Sequence, residues 1–332
     1  MFFKGSDILS VDQFERADVA KIFAVAAEME VYVRRQRITR VLEGAVLGNL
    51  FFEPSTRSRV SFATAFYRLG GAVSDTTGFS FSSMAKGESI YDTSRVMGGY
   101  ADVLVVRHPE EGSIKEFAEA TNCPVINSGD GAGEHPTQAL LDLYTIMREG
   151  GKNFDDLDGL SIAMVGDLKH GRTVHSLTKL LSLFKNISFT FIAPEPLKMP
   201  EAIIKQSLAR GHRIQQGEDF ASGLASADVV YMTRLQEERF ATLDEAEQYR
   251  GRYQLDRKFY EHHCRPGTPI LHPLPRDSRR GAQEIADDLN DHSQLAIFRQ
   301  TNNGIAIRMA LFALVLDVVD QVHLTARDAS WN

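Results

Sequence analysis

Val19, Ile22, Phe23 and Ala26 recur at i, i+3, i+4 and i+7, and this spacing predicts a first helix over residues 15–30. Ala45–Phe52 is a short apolar run that contains Gly48 and Asn49, and Phe62, Ala65, Phe66 and Leu69 return to helical spacing after it. Val103–Val106 is a compact run of strand length and composition. Leu140, Leu143, Tyr144 and Met147 mark another helix face. Ser161–Val165, Ser188–Ile192, Asp228–Met232 and Pro269–Leu271 are further strand candidates. Leu177, Leu180, Leu181 and Phe184 mark the helix after the first of them, and Leu311, Leu314, Val315 and Val318 a last helix. Continuous apolar strands separated by helices belong to parallel sheets covered on both faces, so the pattern predicts two α/β domains. Arg148-Glu149-Gly150-Gly151-Lys152-Asn153 has the glycine and polar content of a hinge between them.

Composition narrows this picture. The 332 residues are long enough for two cores, and 43% hydrophobic with 24% charged residues excludes a disordered chain. The longest apolar candidate for a membrane span, Met309–Leu316, stops at Asp317, well short of about 18–20 residues. A basic n-region leading into an apolar h-region is missing from the N-terminal residues, so a cytoplasmic location is expected. Cys123 and Cys264 are too few for a disulfide framework. The 37 Lys and Arg against 44 Asp and Glu give a net charge of −7, which disfavours a general nucleic-acid binder.

Against that acidic background, the ends of the apolar runs are notable. In open parallel sheets ligands bind beyond the carboxyl ends of the strands. Phe51-Phe52 leads into Glu53-Pro54-Ser55-Thr56-Arg57-Ser58-Arg59, and Val105-Val106 into Arg107-His108. Met164-Val165 leads into a segment with His170 and Arg172, Tyr231-Met232 into Thr233-Arg234, and Ile270-Leu271 into His272-Pro273-Leu274-Pro275-Arg276. Five strand ends thus deliver arginine or histidine, which points to an anionic small-molecule ligand.

Ser55–Arg59 is the sharpest of these signals. Ser55 or Thr56 stands where a helix N-cap belongs, with backbone N–H groups behind it and Arg57 and Arg59 as planar, charged donors suited to phosphate. A lone Ser-Thr pair would be an ordinary cap; two hydroxyls and two arginines at a strand end favour an anion site. In His135-Pro136-Thr137-Gln138, proline takes the first turn of a helix, and imidazole and amide share one side of that turn. This pair could polarise a carbonyl and hold an amide, or simply start a helix.

Other chemistries find little support. His170 and His175 lie five residues apart, which on a helix turns them about 140° from each other. The side chains of His262-His263-Cys264 diverge, so no metal ligand set is read from the sequence. Neither a dinucleotide-binding glycine pattern, nor a phosphate loop, nor a nucleophile elbow is present.

Over nearly the whole chain, from about Ile8 to about Val318, the sequence resembles the bacterial-type catalytic chains of the aspartate carbamoyltransferase family. The resemblance rests on Phe-Phe-Glu-Pro-Ser-Thr-Arg-Ser-Arg at 51–59, Lys86-Gly87-Glu88, Arg107-His108-Pro109 and His135-Pro136-Thr137-Gln138. It continues through Met164–Ser176, Met232-Thr233-Arg234 with Gln236, and His272-Pro273-Leu274-Pro275-Arg276. Ser-Thr-Arg-x-Arg is common to carbamoyltransferases. His272-Pro273-Leu274-Pro275 stands where ornithine enzymes typically carry His-Cys-Leu-Pro, and their Asp-x-x-x-Ser-Met-Gly element is missing.

The resemblance implies two doubly wound parallel-sheet domains, with the C-terminal helix returning to the first. A carbamoyl phosphate domain would comprise 1–147 plus 304–332, and an aspartate domain 148–303. It assigns Ser55, Thr56, Arg57 and Ser58 to the phosphate of carbamoyl phosphate, and Thr56, Arg107 and His135 to its carbonyl oxygen. Gln138 and the backbone around Pro273-Leu274-Pro275 would accept from its NH2. Arg172 would hold the aspartate α-carboxylate, and Arg234 and Gln236 the β-carboxylate. Ser82 and Lys86 would reach in from the adjacent subunit of a homotrimer with shared active sites. The implied chemistry needs no metal and no cofactor. A regulatory chain or a dihydroorotase-like chain is a possible partner, and nucleic acid and membrane are not. Ser58 stands where threonine is more usual, and segments 277–283 and 234–260 are longer than in the best-known bacterial chains. The competing readings are carbamoyl transfer to ornithine or a related amine, and a non-catalytic anion-binding protein on the same scaffold.

Overall fold

In the computed structural model, which describes residues 1–78, 80 and 82–331, the chain divides into two units. The first comprises Met1–Leu141 and Asn302–Asn332, the second Asp142–Thr301. The first unit begins with α1 (Arg16–Val33), β1 (Arg37–Ile38), β2 (Val46–Phe51), α2 (Thr56–Arg68) and β3 (Ala72–Thr77). It continues with α3 (Ile90–Gly98), β4 (Val103–His108), α4 (Ser113–Ala120) and β5 (Val125–Asp130), and helix α5 (Pro136–Glu149) carries the chain onward.

The second unit holds β6 (Ser161–Val165), α6 (Arg172–Leu181), β7 (Ser188–Ile192), α7 (Glu201–Ala209), β8 (Arg213–Gly217) and α8 (Phe220–Leu224). After these come β9 (Val229–Met232), α9 (Leu243–Glu247), α10 (Arg257–His263) and β10 (Ile270–Leu271). Helix α11 (Ile297–Val315) brings the chain back to the first unit, where β11 (Arg327–Asp328) pairs antiparallel with β1. Among the described residues, no helix is long and apolar enough to cross a membrane.

Each unit is built on one parallel sheet, in the order β3-β2-β4-β5 in the first and β10-β9-β6-β7-β8 in the second. The central strands β4 and β9 are buried at every position. This is why they read as unbroken apolar runs. Gly48 inside β2 has a packing reason: a Cβ there would meet the Leu104 side chain at 2.5 Å. Its neighbour Asn49 donates to the Asp75 carboxylate of β3 at 2.8 Å.

The apolar pattern does not reveal α3, α4 and α7 to α10, nor the strands β1, β3, β5, β8 and β11, all of which lie at sheet edges. β8 (Arg-Ile-Gln-Gln-Gly) is largely exposed, and β3 and β5 close the two sides of the first sheet. The N-terminal segment covers the β5 edge. Ile8 N–H donates to the Val125 carbonyl at 2.8 Å, Asn127 N–H to the Ile8 carbonyl at 2.8 Å, and Val125 N–H to the Asp7 carboxylate at 2.7 Å. This supplies partners for a row of backbone groups that an edge strand would otherwise expose.

The last helix starts fourteen residues earlier than its apolar spacing suggests, and from Ala306 to Val315 it is buried all round. Its Phe312 ring packs edge-on against Phe66 and Phe62, at 5.0 and 6.1 Å between centroids. The Arg308 guanidinium lies 4.6 Å from the centre of the Phe62 ring. Burial pushes both thiols, Cys123 and Cys264, up to about 12, so neither carries thiolate near neutral pH. Phe312→Ala should leave a cavity between α2 and α11 and cost about 3–5 kcal/mol, read as a lower denaturant midpoint. An unchanged midpoint would mean that this return of the chain contributes nothing to the first unit.

Candidate active site

The winding of the two sheets decides where ligands can enter. In the first unit the chain runs from β2 outward to β3 and then returns to the other side of β2 as β4. In the second it runs from β6 through β7 to β8 and returns to the other side of β6 as β9. At such reversals neighbouring connections leave on opposite faces, and a crevice opens at the carboxyl ends of the two strands. The crevice of the first sheet is bordered by the segments leaving β2 and β4, and that of the second by those leaving β6 and β9.

In the first unit these segments carry Ser55, Thr56, Arg57 and Ser58, then Arg107. Ser55 is the N-cap of α2, with an extended backbone and a side chain that makes no capping bond. The positive end of α2 therefore opens on the strand ends, beside two hydroxyls and an exposed Arg57. Arg59, grouped with Arg57 in the sequence as a phosphate donor, is directed elsewhere: its Nη1 holds the Asp75 carboxylate at 2.9 Å. It fastens α2 to β3.

Arg107, at the end of β4, is only 9% exposed. Its Nε lies 3.0 Å from Glu53 Oε2, and its Nη1 donates to the Ser128 carbonyl at 3.4 Å. The guanidinium is thus clamped in orientation by the turn after β2 and by the neighbouring strand. His135 is buried and precedes α5, and its carbonyl accepts from the N–H groups of Gln138 and Ala139 at 3.0 and 3.2 Å. Pro136 occupies the first turn, where a missing N–H costs nothing. The preceding residue, Glu134, accepts from Ser10 Oγ and Val11 N–H, at 3.0 and 2.7 Å, which pins this corner to the N-terminal segment.

In the second unit, Asp167 joins the two borders of the crevice. Its carboxylate is buried and accepts from His170 N–H at 3.0 Å and from Gln236 N–H at 3.2 Å. Both of its oxygens also lie 3.1 Å from His170 Nδ1. Gly166 makes the approach possible. Its φ is +114°, and a Cβ there would meet the Thr233 carbonyl oxygen at 2.5 Å. Arg172 is the first residue of α6. His170 lies before that helix, so the five-residue spacing to His175 is not a helical one. The His175 ring donates instead to the Leu168 carbonyl at 2.7 Å.

Arg234 follows β9, and Glu238 holds the Nη1 and Nη2 end of its fork, at 3.3 and 2.6 Å. The Glu238 carboxyl sits below the usual range: burial works against this, and the Arg234 hydrogen bonds and charge outweigh it. The Gln236 amide oxygen accepts from Arg239 Nε at 3.2 Å. With the oxygen engaged, the NH2 end is the one left to donate to a carboxylate.

The two long segments are tied to each other. Glu237 accepts from Arg250 Nε and Nη2 at 2.7 and 2.9 Å, and from Arg279 Nη2 at 2.6 Å. Arg279 also grips Asp277. Pro273, Leu274 and Pro275 follow β10, with a cis Leu274-Pro275 peptide and Leu274 at φ +58°.

Ser82 and Lys86 belong to a different kind of segment. Sequence composition suggests a flexible polar loop, but Ser83–Lys86 is a short 3-10 helix with Met84 buried among Leu50, Phe52, Leu104 and Val106. Lys86 is exposed. Glu53, Asp167 and Glu284 are site-shaping residues to which the sequence reading gave no role, and His272 entered it only as a strand-end histidine within a motif. Each is an acid or histidine next to a recognised arginine or turn, which is the signal available in the sequence.

Comparison with known proteins also divides the chain in two, near residue 150. Residues 6–148 match the family model described as aspartate/ornithine carbamoyltransferase, carbamoyl-P binding domain. Residues 158–315 match the model described as aspartate/ornithine carbamoyltransferase, Asp/Orn binding domain. The chain is 59% identical over 331 residues to the aspartate carbamoyltransferase catalytic subunit of Saccharophagus degradans, covering 100% of this chain and 98% of that one. The aspartate transcarbamoylase of Trypanosoma cruzi, solved in complex with carbamoyl phosphate and aspartate, superposes with a TM-score of 0.87 at 37% identity. That match covers 95% of this chain and 98% of the other. The catalytic subunit of Methanocaldococcus jannaschii aspartate transcarbamoylase gives 0.84 at 42% identity, covering 95% and 99%.

The Glu237 cluster has a pH signature. Hydrogen bonds from Arg250 and Arg279 hold the Glu237 carboxyl down to about 2, from an ordinary 4.5. A depressed folded value means that the contribution to stability is complete above about 4.5 and is lost as pH falls toward 2. Glu237→Gln should therefore cost about 1–2 kcal/mol at pH 7, discounted for the exposure of Arg279. Denaturant unfolding across the pH range should show the gap to the unsubstituted protein closing between pH 4.5 and 2. A gap that is constant with pH would rule out the charge as its cause.

Proposed function

The chain belongs to the aspartate/ornithine carbamoyltransferase family, and on that premise we infer that it transfers the carbamoyl group of carbamoyl phosphate to the amino group of L-aspartate. The products are N-carbamoyl-L-aspartate and phosphate, and the step belongs to pyrimidine biosynthesis. The observation that carries this reading is the pair of anion-ready crevices, one at each sheet's reversal. The first has a helix N-terminus, hydroxyls and Arg57 for a phosphate; the second has Arg172 and Arg234 for two carboxylates. Arg234 favours a dicarboxylate over ornithine, whose second amine would meet a like charge.

Ser55, Thr56, Arg57 and Ser58 take the phosphate oxygens, supported by the uncapped start of α2. Thr56, Arg107 and His135 surround the carbonyl oxygen. Gln138 and the backbone carbonyls at Pro273-Leu274-Pro275 accept from the NH2 group. Arg172 takes the α-carboxylate of aspartate; Arg234 and Gln236 take the β-carboxylate.

The uncharged aspartate amine attacks the carbonyl carbon and forms the new C–N bond, and negative charge moves onto the carbonyl oxygen. The C–O bond to phosphate then breaks, and the departing phosphate takes the amine proton. Negative charge builds at the carbonyl and phosphate oxygens, and the positive charge on the attacking nitrogen is relieved when phosphate takes the proton, so donors already fixed in place do most of the catalysis. The clamp of Glu53 and Ser128 on Arg107 is of this kind, since no reorientation is needed when the oxyanion forms.

The same reading includes a homotrimer with shared sites. Val60 and Tyr67, seven residues apart on α2, are half-exposed apolar side chains, as are Tyr91 and Val96 on α3, and Tyr100 is more exposed still. Ser82 and Lys86 sit on an anchored, outward turn of the same unit, the place from which a neighbour's site could be reached. A regulatory or dihydroorotase-like chain remains a further partner to test by co-purification.

Two experiments test the assignment. Arg234→Ala should raise the aspartate KM and lower turnover, with a charge-assisted pair worth about 1.5–3 kcal/mol lost and carbamoyl phosphate binding nearly unchanged. Equal damage to both substrates would contradict it. For the shared site, Arg57→Ala and Lys86→Gln chains are dissociated and re-assembled together. About one site in four then joins an intact body to an intact loop, and roughly a quarter of full activity should return. No recovery on mixing would mean that each loop serves its own chain.

A further inference from the structure

We propose that His272, whose ring accepts the Leu274 N–H, is a positioning residue that aims the Pro273 carbonyl at the carbamoyl NH2; this rests on the assignment of that backbone to carbamoyl phosphate. His272 stands directly after β10 and is almost fully buried. Its own N–H donates to Gln300 Oε1 at 3.0 Å, and Gln300 in turn donates to the buried Asp142 at 2.6 Å. The histidine backbone is therefore fixed from behind.

The ring does something specific. Its Nδ1 accepts from the Leu274 N–H at 2.8 Å. An accepting nitrogen carries no proton, so in the neutral ring the proton sits on Nε2, which faces Glu284 Oε1 at 2.8 Å. Glu284 also receives the Asp277 N–H, 3.2 and 3.3 Å from its two oxygens, which joins the ring to the far end of the turn. Because residues 273 and 275 are prolines, Leu274 supplies the one backbone N–H of this three-residue stretch, and it is spent on the imidazole.

Geometry then fixes the carbonyl. A trans peptide is planar, with N–H and C=O pointing in opposite directions. Holding the Leu274 N–H on the His272 ring turns the Pro273 carbonyl away from that ring. Leu274 is in the left-handed region at φ +58°, which disfavours a side chain with a Cβ. Such a backbone persists where its surroundings over-determine it, and here the His272 ring holds the Leu274 N–H while the Leu274 side chain packs against the core of the second unit.

The test separates the two ring nitrogens. In His272→Asn the side-chain oxygen falls near the Nδ1 position and can still accept from Leu274. In His272→Gln the amide reaches the Nε2 position and keeps the partner of Glu284, but leaves Leu274 without its acceptor. Expected for the asparagine variant is a kcat/KM for carbamoyl phosphate within about threefold of the unsubstituted enzyme, and for the glutamine variant a fall of about tenfold or more. Thermal unfolding of the two should be similar, which a merely structural role would not combine with divergent kinetics. Equal kinetics, or the reverse order, would overturn the proposal. If either variant fails to fold, 15N imidazole spectra of the unsubstituted protein decide the matter: Nε2–H with an unprotonated, accepting Nδ1 supports it, and Nδ1–H overturns it. Absence of carbamoyl aspartate formation by the unsubstituted enzyme would instead count against the functional assignment, and the spectra would still judge the tautomer.

Discussion

A parallel sheet that reverses its winding about its first strand has two neighbouring strand ends that no connection covers, and the rest of this molecule is organised around that constraint. It occurs twice, at β2 and β4 and again at β6 and β9. Both times the chain places short, strongly bonded segments there. The cost is local backbone tension, which explains Gly166 at φ +114° against the Thr233 carbonyl. A residue with a Cβ at that position would push the end of β6 away from β9. The buried Asp167, accepting from residues of both segments, could not then span them.

Electrostatics follow from the same placement. A chain of net charge −7 must gather its cations to hold an anion, and isolated arginines near buried strand ends would be costly. Three arginines near the strand ends are instead set against carboxylates: Arg107 with Glu53, Arg234 with Glu238, and Arg59, turned away from the crevice, with Asp75. Where the carboxylate holds one end of the fork, as Glu238 does, it converts a mobile cation into a directed donor set. Orientation is then supplied in advance of the ligand, which matters more for catalysis than raw charge.

How much of this the sequence could reveal depended on burial. Strands covered on both faces, such as β4, β6 and β9, are continuous apolar runs and were legible at once. Edge strands were not, apart from β10, whose two residues are buried. β8 has one side open to solvent, so its Arg-Ile-Gln-Gln-Gly carries no strand signal. The arginines near the strand ends were legible because they follow apolar runs, and the motif resemblance supplied proposed roles that spacing alone could not. Arg59 shows the limit: close to Arg57 in sequence, it turns to Asp75 because β3 lies on that side of β2. Glu53, Asp167 and Glu284 were invisible for a related reason. An acid near an arginine in sequence is ordinary, and only folding shows which one the arginine chooses.

Buried polar groups in the second unit carry the argument one step further. Asp142 is completely buried, an expensive position for a carboxylate, yet it receives the Tyr231 hydroxyl and the Gln300 amide, both at 2.6 Å. Tyr231 belongs to β9 and Gln300 holds the backbone of His272 just beyond β10, so one acid fixes the register of two neighbouring strand ends. A purely apolar contact would hold those strands together but would let them slide, because dispersion has little direction. Short hydrogen bonds to a carboxyl acceptor do not permit a slide. That directionality is a physical reason to accept a buried carboxyl beside two strand ends, and it accounts for a tyrosine, rather than a phenylalanine, in the middle of an otherwise apolar strand.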